Sequence, residues 1–102
     1  MTTKYNKLVR DKIPDYIRGK NGNPVYHIAD DKEYWEKLKE KLLEEVNEFI
    51  DDESEEELAD LLEVIDAILK YKGFKKEEIK KIRDSKAKER GVFKDKVILD
   101  ES

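Results

Sequence analysis

One stretch of the chain, residues 42–66, constrains most of what the protein can fold into. Its sequence, LLEEVNEFIDDESEEELADLLEVID, holds two amphipathic segments of helical period on either side of an acidic stretch that has no apolar residue. The pattern predicts two helices joined by a short turn, which pack as an antiparallel hairpin. Each helix carries two carboxylates three residues apart, Glu45 with Glu48 and Glu57 with Asp60. Side chains at that spacing lie on one helix face.

In such a hairpin all four of these carboxylates can face one small volume. Clustered negative charges repel one another unless a cation lies among them, and hard divalent ions prefer oxygen ligands. A second pair, Glu63 with Asp66, has the same spacing but projects from the other side of its helix, where Lys70 can pair with it. We therefore expect the first four to bind metal and this pair to be solvated. Spacing alone leaves open that all of them merely solvate the helices, because the chain has 26 acidic residues.

The rest of the chain predicts a mainly helical fold with a minor β element. Asp30 or Asp31 is a suitable N-cap for the first long helix, and Ser54 for the second, with Glu57 at the capping-box position. Gly73 is a suitable stop for the second helix. The predicted elements are a helical turn after Pro14, helices over 32–52, 54–72 and 75–89, and two short strands, Val25–Ile28 and Val97–Leu99, that could pair with each other.

Size and composition limit the classes of protein to consider. The chain has 102 residues, of which 47% are charged and 37% hydrophobic, so we expect a single domain over residues 1–102 with a small core that self-association would complete. The net charge of −4 argues against a general nucleic-acid surface. There is no cysteine, no apolar run long enough to span a bilayer and no signal-peptide core at the N-terminus. The expectation is a soluble cytoplasmic protein without a membrane partner.

Three motifs together resemble a known family. Glu44-Glu45-Val-Asn-Glu48, followed by Glu57-Leu-Ala-Asp60, is similar to the signature of the MazG-like all-α nucleoside triphosphate pyrophosphohydrolases. The opening YNKLVRDKIPDYI and the closing KAKERGVF resemble segments of the small phosphoribosyl-ATP pyrophosphohydrolase-like branch of that superfamily, although Val92 stands where a second glycine is common. The resemblance covers nearly the full chain. It implies a helical hairpin plus a third helix, and a homodimer or homotetramer in which hairpins pair into a four-helix bundle.

The resemblance also implies an activity, the hydrolysis of a nucleotide to a monophosphate and pyrophosphate. Mg²⁺, with Mn²⁺ as a substitute, would be held by Glu45, Glu48, Glu57 and Asp60 and would offset phosphate charge and acidify a water. Glu44 would orient or deprotonate that water, so Glu44 and Glu45 are the predicted catalytic residues. The phosphates need cationic donors that the acidic helices lack. The predicted substrate-binding residues are Lys7, Arg10 and Lys12 near the N-terminus, and Lys86 and Arg90 near the C-terminus.

Three alternatives stay open at this point. The first is a regulatory module that binds metal and nucleotide with little turnover. The second is a helical interaction protein whose acidic faces only solvate it. The third is a narrower form of the main hypothesis, phosphoribosyl-ATP hydrolysis in histidine biosynthesis. The sequence leaves the nucleotide, the number of metal ions and the source of the basic residues, one subunit or two, undecided.

Overall fold

A computed structural model of the chain describes residues 5–102, and its regular structure is all-α. Four helices follow one another: α1 (Ile13–Gly19), α2 (Asp31–Asp51), α3 (Glu55–Lys72) and α4 (Lys76–Arg90). Residues 1–4 of the predicted domain lie outside the described part. The ends of the three long helices lie within one or two residues of the boundaries that the sequence predicts. Within residues 5–102, none of the helices has the length and apolar content needed to cross a bilayer.

The helix boundaries follow from capping residues. Asp30 caps α2, because its side chain accepts a hydrogen bond of 2.8 Å from the backbone N–H of Glu33. Ser54 caps α3 in the same way through the N–H of Glu57, at 3.2 Å. Gly73 ends α3 in the left-handed conformation, with φ +70°, which a residue with a side chain adopts only with strain. The predicted caps at Ser54 and Gly73 are thus confirmed.

Helices α2 and α3 pack against each other as an antiparallel hairpin and form the only close helix–helix packing within residues 5–102. Trp35 near the start of α2 contacts Tyr71 near the end of α3. Glu45 further along α2 lies beside Glu57 near the start of α3. Leu38 and Val64 form the buried apolar centre, with 1% and 8% of their surfaces exposed. This hairpin carries the acidic side chains on its two facing helices.

The chain as a whole is elongated. Its radius of gyration is 18.1 Å and it measures 55 × 30 × 24 Å, whereas a compact chain of this length has a radius of about 13 Å. Helix α4 is joined to the hairpin by an ion pair of 3.0 Å between Lys76 and Asp66, and does not pack along it. Many large apolar side chains consequently remain exposed, both on the hairpin and beyond α4.

The expected minor β element is wrong: within residues 5–102 no strand forms. Val25–Ile28 and Val97–Leu99 are both irregular, and their apolar side chains are exposed. A strand needs a neighbour for its backbone groups, and these two segments do not pair. The first instead contacts the flanking helices through side chains. Tyr26 accepts a hydrogen bond of 3.2 Å from Arg18, and the His27 ring contacts the carboxylate of Glu33 at 2.8 Å.

Candidate metal centre

The two long helices bring five carboxylates together in two overlapping groups. Ligand atoms of Glu44, Glu45 and Glu48 lie within 4.8 Å of one another on α2, and those of Glu45, Glu57 and Asp60 lie within the same distance across the hairpin. Glu45 belongs to both groups, so it joins the two helices at this point. The four side chains that the sequence pairs as metal ligands, together with Glu44, therefore lie in one cluster, which we call the acidic cluster.

The acidic cluster contains buried oxygen atoms without hydrogen-bond donors. Glu45 is 5% exposed, and its Oε2 atom receives no hydrogen bond from any described residue. Glu57 Oε2 is also buried and likewise receives no hydrogen bond from any described residue. A buried carboxylate oxygen without a partner is costly unless a proton or a cation satisfies it. The donor set, carboxylate oxygens from two facing helices, fits a hard divalent ion such as Mg²⁺ or Mn²⁺.

The electrostatics of the cluster point the same way. Burial raises the pKa of Glu45, Lys41 opposes that shift, and the neighbouring Glu48 adds to it. Burial and the charge of Asp60 raise the pKa of Glu57. Raised pKa values mean that the ionised forms of these two carboxylates are disfavoured. A bound cation would reverse that preference.

Two cations from the N-terminal segment contact the rim of the cluster. Lys7 Nζ lies 3.0 Å from Glu44 Oε1, and Arg10 Nη2 donates a hydrogen bond of 2.9 Å to Asp60 Oδ1. Burial raises the pKa of Glu44, but the ion pairs with Lys7 and Lys41 outweigh it and hold that pKa below its ordinary value. Glu44 is therefore ionised at neutral pH. It is the cluster member best supplied with cationic partners.

The remaining predicted basic residues differ in their positions. Lys12 lines the same open surface depression as Arg10, of about 450 Å³. Lys86 and Arg90 are exposed on α4, and within residues 5–102 neither forms an ion pair. The structure thus brings Lys7 and Arg10 to the acidic cluster and places Lys12 beside Arg10. It leaves the two α4 residues on a helix that does not pack along the hairpin.

Lys41 is a member of the site that sequence reasoning missed. Its Nζ lies 3.4 Å from Glu44 Oε2 and 3.3 Å from Glu45 Oε1, and the side chain is 18% exposed. The sequence signal for these ion pairs was the spacing of three and four residues between Lys41 and the two glutamates. On a helix with so many charges, the same spacings also describe ordinary surface pairs. The Lys70–Asp66 pair on the other side of α3, at 2.9 Å, is one that was predicted and is present.

Comparison with known proteins adds little to this geometry. No family model matches the chain, and no solved structure matches it. A stretch of 42 residues is 50% identical to part of an uncharacterised protein from Mycolicibacterium smegmatis. That stretch covers 41% of this chain and 43% of the relative, so the match spans less than half of the relative's length. The MazG-like resemblance stays a prediction.

Proposed function

We propose that the chain is a Mg²⁺-dependent nucleotide pyrophosphohydrolase of MazG-like type, which cleaves a nucleoside triphosphate or a related nucleotide to a monophosphate and pyrophosphate. The observation that carries the proposal is the acidic cluster itself, in which Glu45 on α2 and Glu57 on α3 lie close together and each has a buried oxygen that receives no hydrogen bond. Asp66 on the other side of α3 also has a buried oxygen, Oδ1, that accepts no hydrogen bond, but Lys76 Nζ lies 3.0 Å from that atom, whereas Glu57 has no ion pair within residues 5–102. The motifs around residues 44–60 supply the choice of reaction.

The residues divide the work as follows. Glu45, Glu48, Glu57 and Asp60 would hold Mg²⁺, which when bound offsets phosphate charge and makes a water more acidic. Glu44, ionised at neutral pH, accepts the proton of the attacking water. The water oxygen bonds to phosphorus as the bond between the α and β phosphates breaks, and pyrophosphate leaves. Lys7, Arg10 and Lys12 provide donors for the phosphate oxygens.

The proposal includes self-association, because the hairpin leaves apolar side chains exposed on both helices. They recur at helical spacing and are Leu43 and Ile50 on α2 and Leu58, Leu62 and Ile65 on α3. Pairing of two hairpins through these side chains would form a four-helix bundle. A second subunit would also be the source of Lys86 and Arg90 at the site, since α4 does not pack along its own hairpin.

The test is pyrophosphate release with Mg²⁺ or Mn²⁺ across standard, deoxy and oxidised nucleoside triphosphates and phosphoribosyl-ATP. Glu57→Gln is the inactive variant and Glu63→Gln, an exposed residue on the same helix, is its control. We expect turnover of at least one substrate that falls more than about 100-fold in Glu57→Gln, by analogy with loss of a group that acts in the transition state, and that persists in Glu63→Gln. Release of phosphate instead of pyrophosphate would contradict the bond assignment.

The second candidate is a regulatory module that binds metal and nucleotide without hydrolysing it. Lys7 and Arg10 favour this candidate, because they already neutralise part of the acidic cluster. Intact nucleotide recovered after long incubation with a protein that binds it tightly would identify this module.

A further inference from the structure

The N-terminal segment, residues 5–12, lies across the rim of the acidic cluster and contacts both helices of the hairpin. Lys7 reaches Glu44 on α2 and Arg10 reaches Asp60 on α3, at 3.0 and 2.9 Å. The segment has no helical or strand structure, and Leu8 between the two cations is its half-buried residue. We call this segment the N-terminal strap. Its two cations neutralise carboxylates at opposite sides of the cluster.

The two ion pairs of the strap are suited to exchange. The side chains of Lys7 and Arg10 are 42% and 58% exposed, and exposed ion pairs add little stability. A phosphate group offers the same donors charge-assisted hydrogen bonds of the same kind, and arginine can bind it with two. Each cation can serve either its carboxylate or a phosphate oxygen. Lys41 differs, because its partners lie on its own helix and its side chain is mostly buried.

We propose that Lys7 and Arg10 are exchangeable counter-ions. They pair with Glu44 and Asp60 when no ligand is bound, and they move to phosphate oxygens when a polyphosphate arrives with a divalent cation. The move exposes both carboxylates: Asp60 becomes a free ligand for the cation and Glu44 a free acceptor for a proton. A divalent cation alone must displace the strap without that compensation. Cation and polyphosphate therefore promote each other's binding, since such coupling is reciprocal. The identity of the ligand in this inference rests on the proposed function.

Two titrations of the full chain test the exchange, one with Mn²⁺ alone and one with inorganic tripolyphosphate at saturating Mg²⁺. The variant is Lys7→Gln combined with Arg10→Gln, and each single variant is measured as well. We expect the double variant to bind Mn²⁺ about fivefold more tightly than the wild type, because two weak ion pairs no longer compete. We expect it to bind tripolyphosphate at least about tenfold more weakly, because charged hydrogen bonds are lost.

The matched control for the Mn²⁺ titration is Lys12→Gln, which removes the same charge from the same segment without breaking an ion pair. Its Mn²⁺ affinity should stay within about twofold of the wild type, since exposed charges that are not in contact are screened. Circular dichroism checks that the variants are folded, and Lys7→Arg with Arg10→Lys, which keeps both charges, should bind Mn²⁺ as the wild type does.

Each outcome decides the matter. Tighter Mn²⁺ binding with weaker tripolyphosphate binding supports the exchange. Unchanged, weaker or absent Mn²⁺ binding in the double variant overturns it, and so does tighter Mn²⁺ binding with unchanged tripolyphosphate affinity. Turnover of the wild type is measured separately. If the double variant shows both affinity shifts but the wild type hydrolyses no nucleotide, the proposed hydrolase is rejected and the exchange is supported. If the wild type hydrolyses a nucleotide but the affinity shifts are absent, the exchange is rejected and the hydrolase is supported.

Discussion

Trp35 and Tyr71 stack face to face, with ring centroids 5.0 Å apart and ring planes inclined by 3°, at the end of the hairpin opposite its turn. Tyr34 packs its ring against the same tyrosine edge-on, and the Tyr71 hydroxyl donates a hydrogen bond of 3.3 Å to the backbone carbonyl of Asp31. The core between the helices is small. These aromatic contacts therefore hold the open end of the hairpin together.

Replacing Trp35 with Ala should destabilise the protein by about 2 kcal/mol, because a half-buried aromatic ring and its stacking partner are lost. Tyr71→Phe keeps the ring and loses only the exposed hydroxyl contact, so it should cost less than about 1 kcal/mol. Urea denaturation of both variants measures the difference. Equal losses would show that the stack contributes nothing beyond the hydrogen bond.

Glu57→Gln should raise the thermal stability of the metal-free protein at pH 7.5 by a few degrees. The folded state raises the pKa of Glu57, through burial and then through Asp60, so the ionised side chain weakens the folded state at pH values above its pKa. Lowering the pH through that pKa should therefore stabilise the wild type relative to the variant.

Mg²⁺ should stabilise the wild type and not the Glu57→Gln variant. It should raise the melting temperature of the wild type by binding only the folded state, and leave Glu57→Gln unchanged. Differential scanning fluorimetry with and without Mg²⁺ measures both, with Glu63→Gln as the control. A wild type that does not respond to Mg²⁺, beside a stabilised Glu57→Gln, would favour the helical interaction protein whose acidic faces only solvate it.

Asp66 predicts a second pH dependence, of the opposite sign. The ion pairs with Lys70 and then Lys76, at 2.9 and 3.0 Å, lower the pKa of Asp66 in the folded state. Its stabilising effect is therefore complete above the unfolded pKa of about 3.9 and is lost as the pH falls through the folded value. Asp66→Asn should be less stable than the wild type at pH 7, and the difference should shrink as the pH falls below about 3.9. A difference that stays constant from pH 7 to pH 2 would contradict the assignment.

Gly73→Ala should destabilise the protein by about 1 kcal/mol, because φ at this position is +70° and a side chain there is strained even though the surrounding space is open. Gly19 at the end of α1 is the matched position, since its surroundings are also open and its φ is not in the left-handed region. Gly19→Ala should be neutral or stabilising by up to about 1 kcal/mol. Chemical denaturation compares the two, and equal effects would be inconsistent with backbone strain at Gly73.

If the chain self-associates as we propose, Leu62→Glu should make it monomeric, because it places a charge in the middle of the exposed apolar side chains of the hairpin. Ile98→Glu introduces the same charge on an exposed residue outside the helices and should leave the mass unchanged. Sedimentation velocity of the wild type and both variants at micromolar concentration measures the assembly. A monomeric wild type would reject the four-helix bundle.

The sequence predicted most of the fold because its signals are local. Helical period, Ser54 and Gly73 determine where the long helices begin and end, and the spacing of Glu45, Glu48, Glu57 and Asp60 follows from those helices. The capping box was only half right. Ser54 caps α3, but its own N–H donates to the carbonyl of Asp52, so the Glu57 carboxylate takes no part in the cap.

What the sequence did not predict depends on contacts between distant residues. The ion pairs Lys7–Glu44 and Arg10–Asp60 join residues 37 and 50 positions apart, and no periodicity reports such a contact. The stack of Trp35 on Tyr71 is of the same kind. The two strands were predicted from β-branched and aromatic content. Such content shows that a segment can form a strand, but not that a partner strand lies beside it.

The turn between α2 and α3 is only three residues long, Asp52 to Ser54, and its last residue caps α3 through the backbone N–H of Glu57. A residue inserted between Ser54 and Glu57 would rotate the rest of α3 by roughly 100° about the helix axis relative to that cap. Glu57 and Asp60 would then leave Glu45, although every side chain in the chain would be unchanged. Substitutions of the exposed Glu55 and Glu56 should therefore be tolerated far better than insertions beside them, and for anyone who re-engineers the protein the spacing between Ser54 and Glu57 is as much a part of the site as its carboxylates.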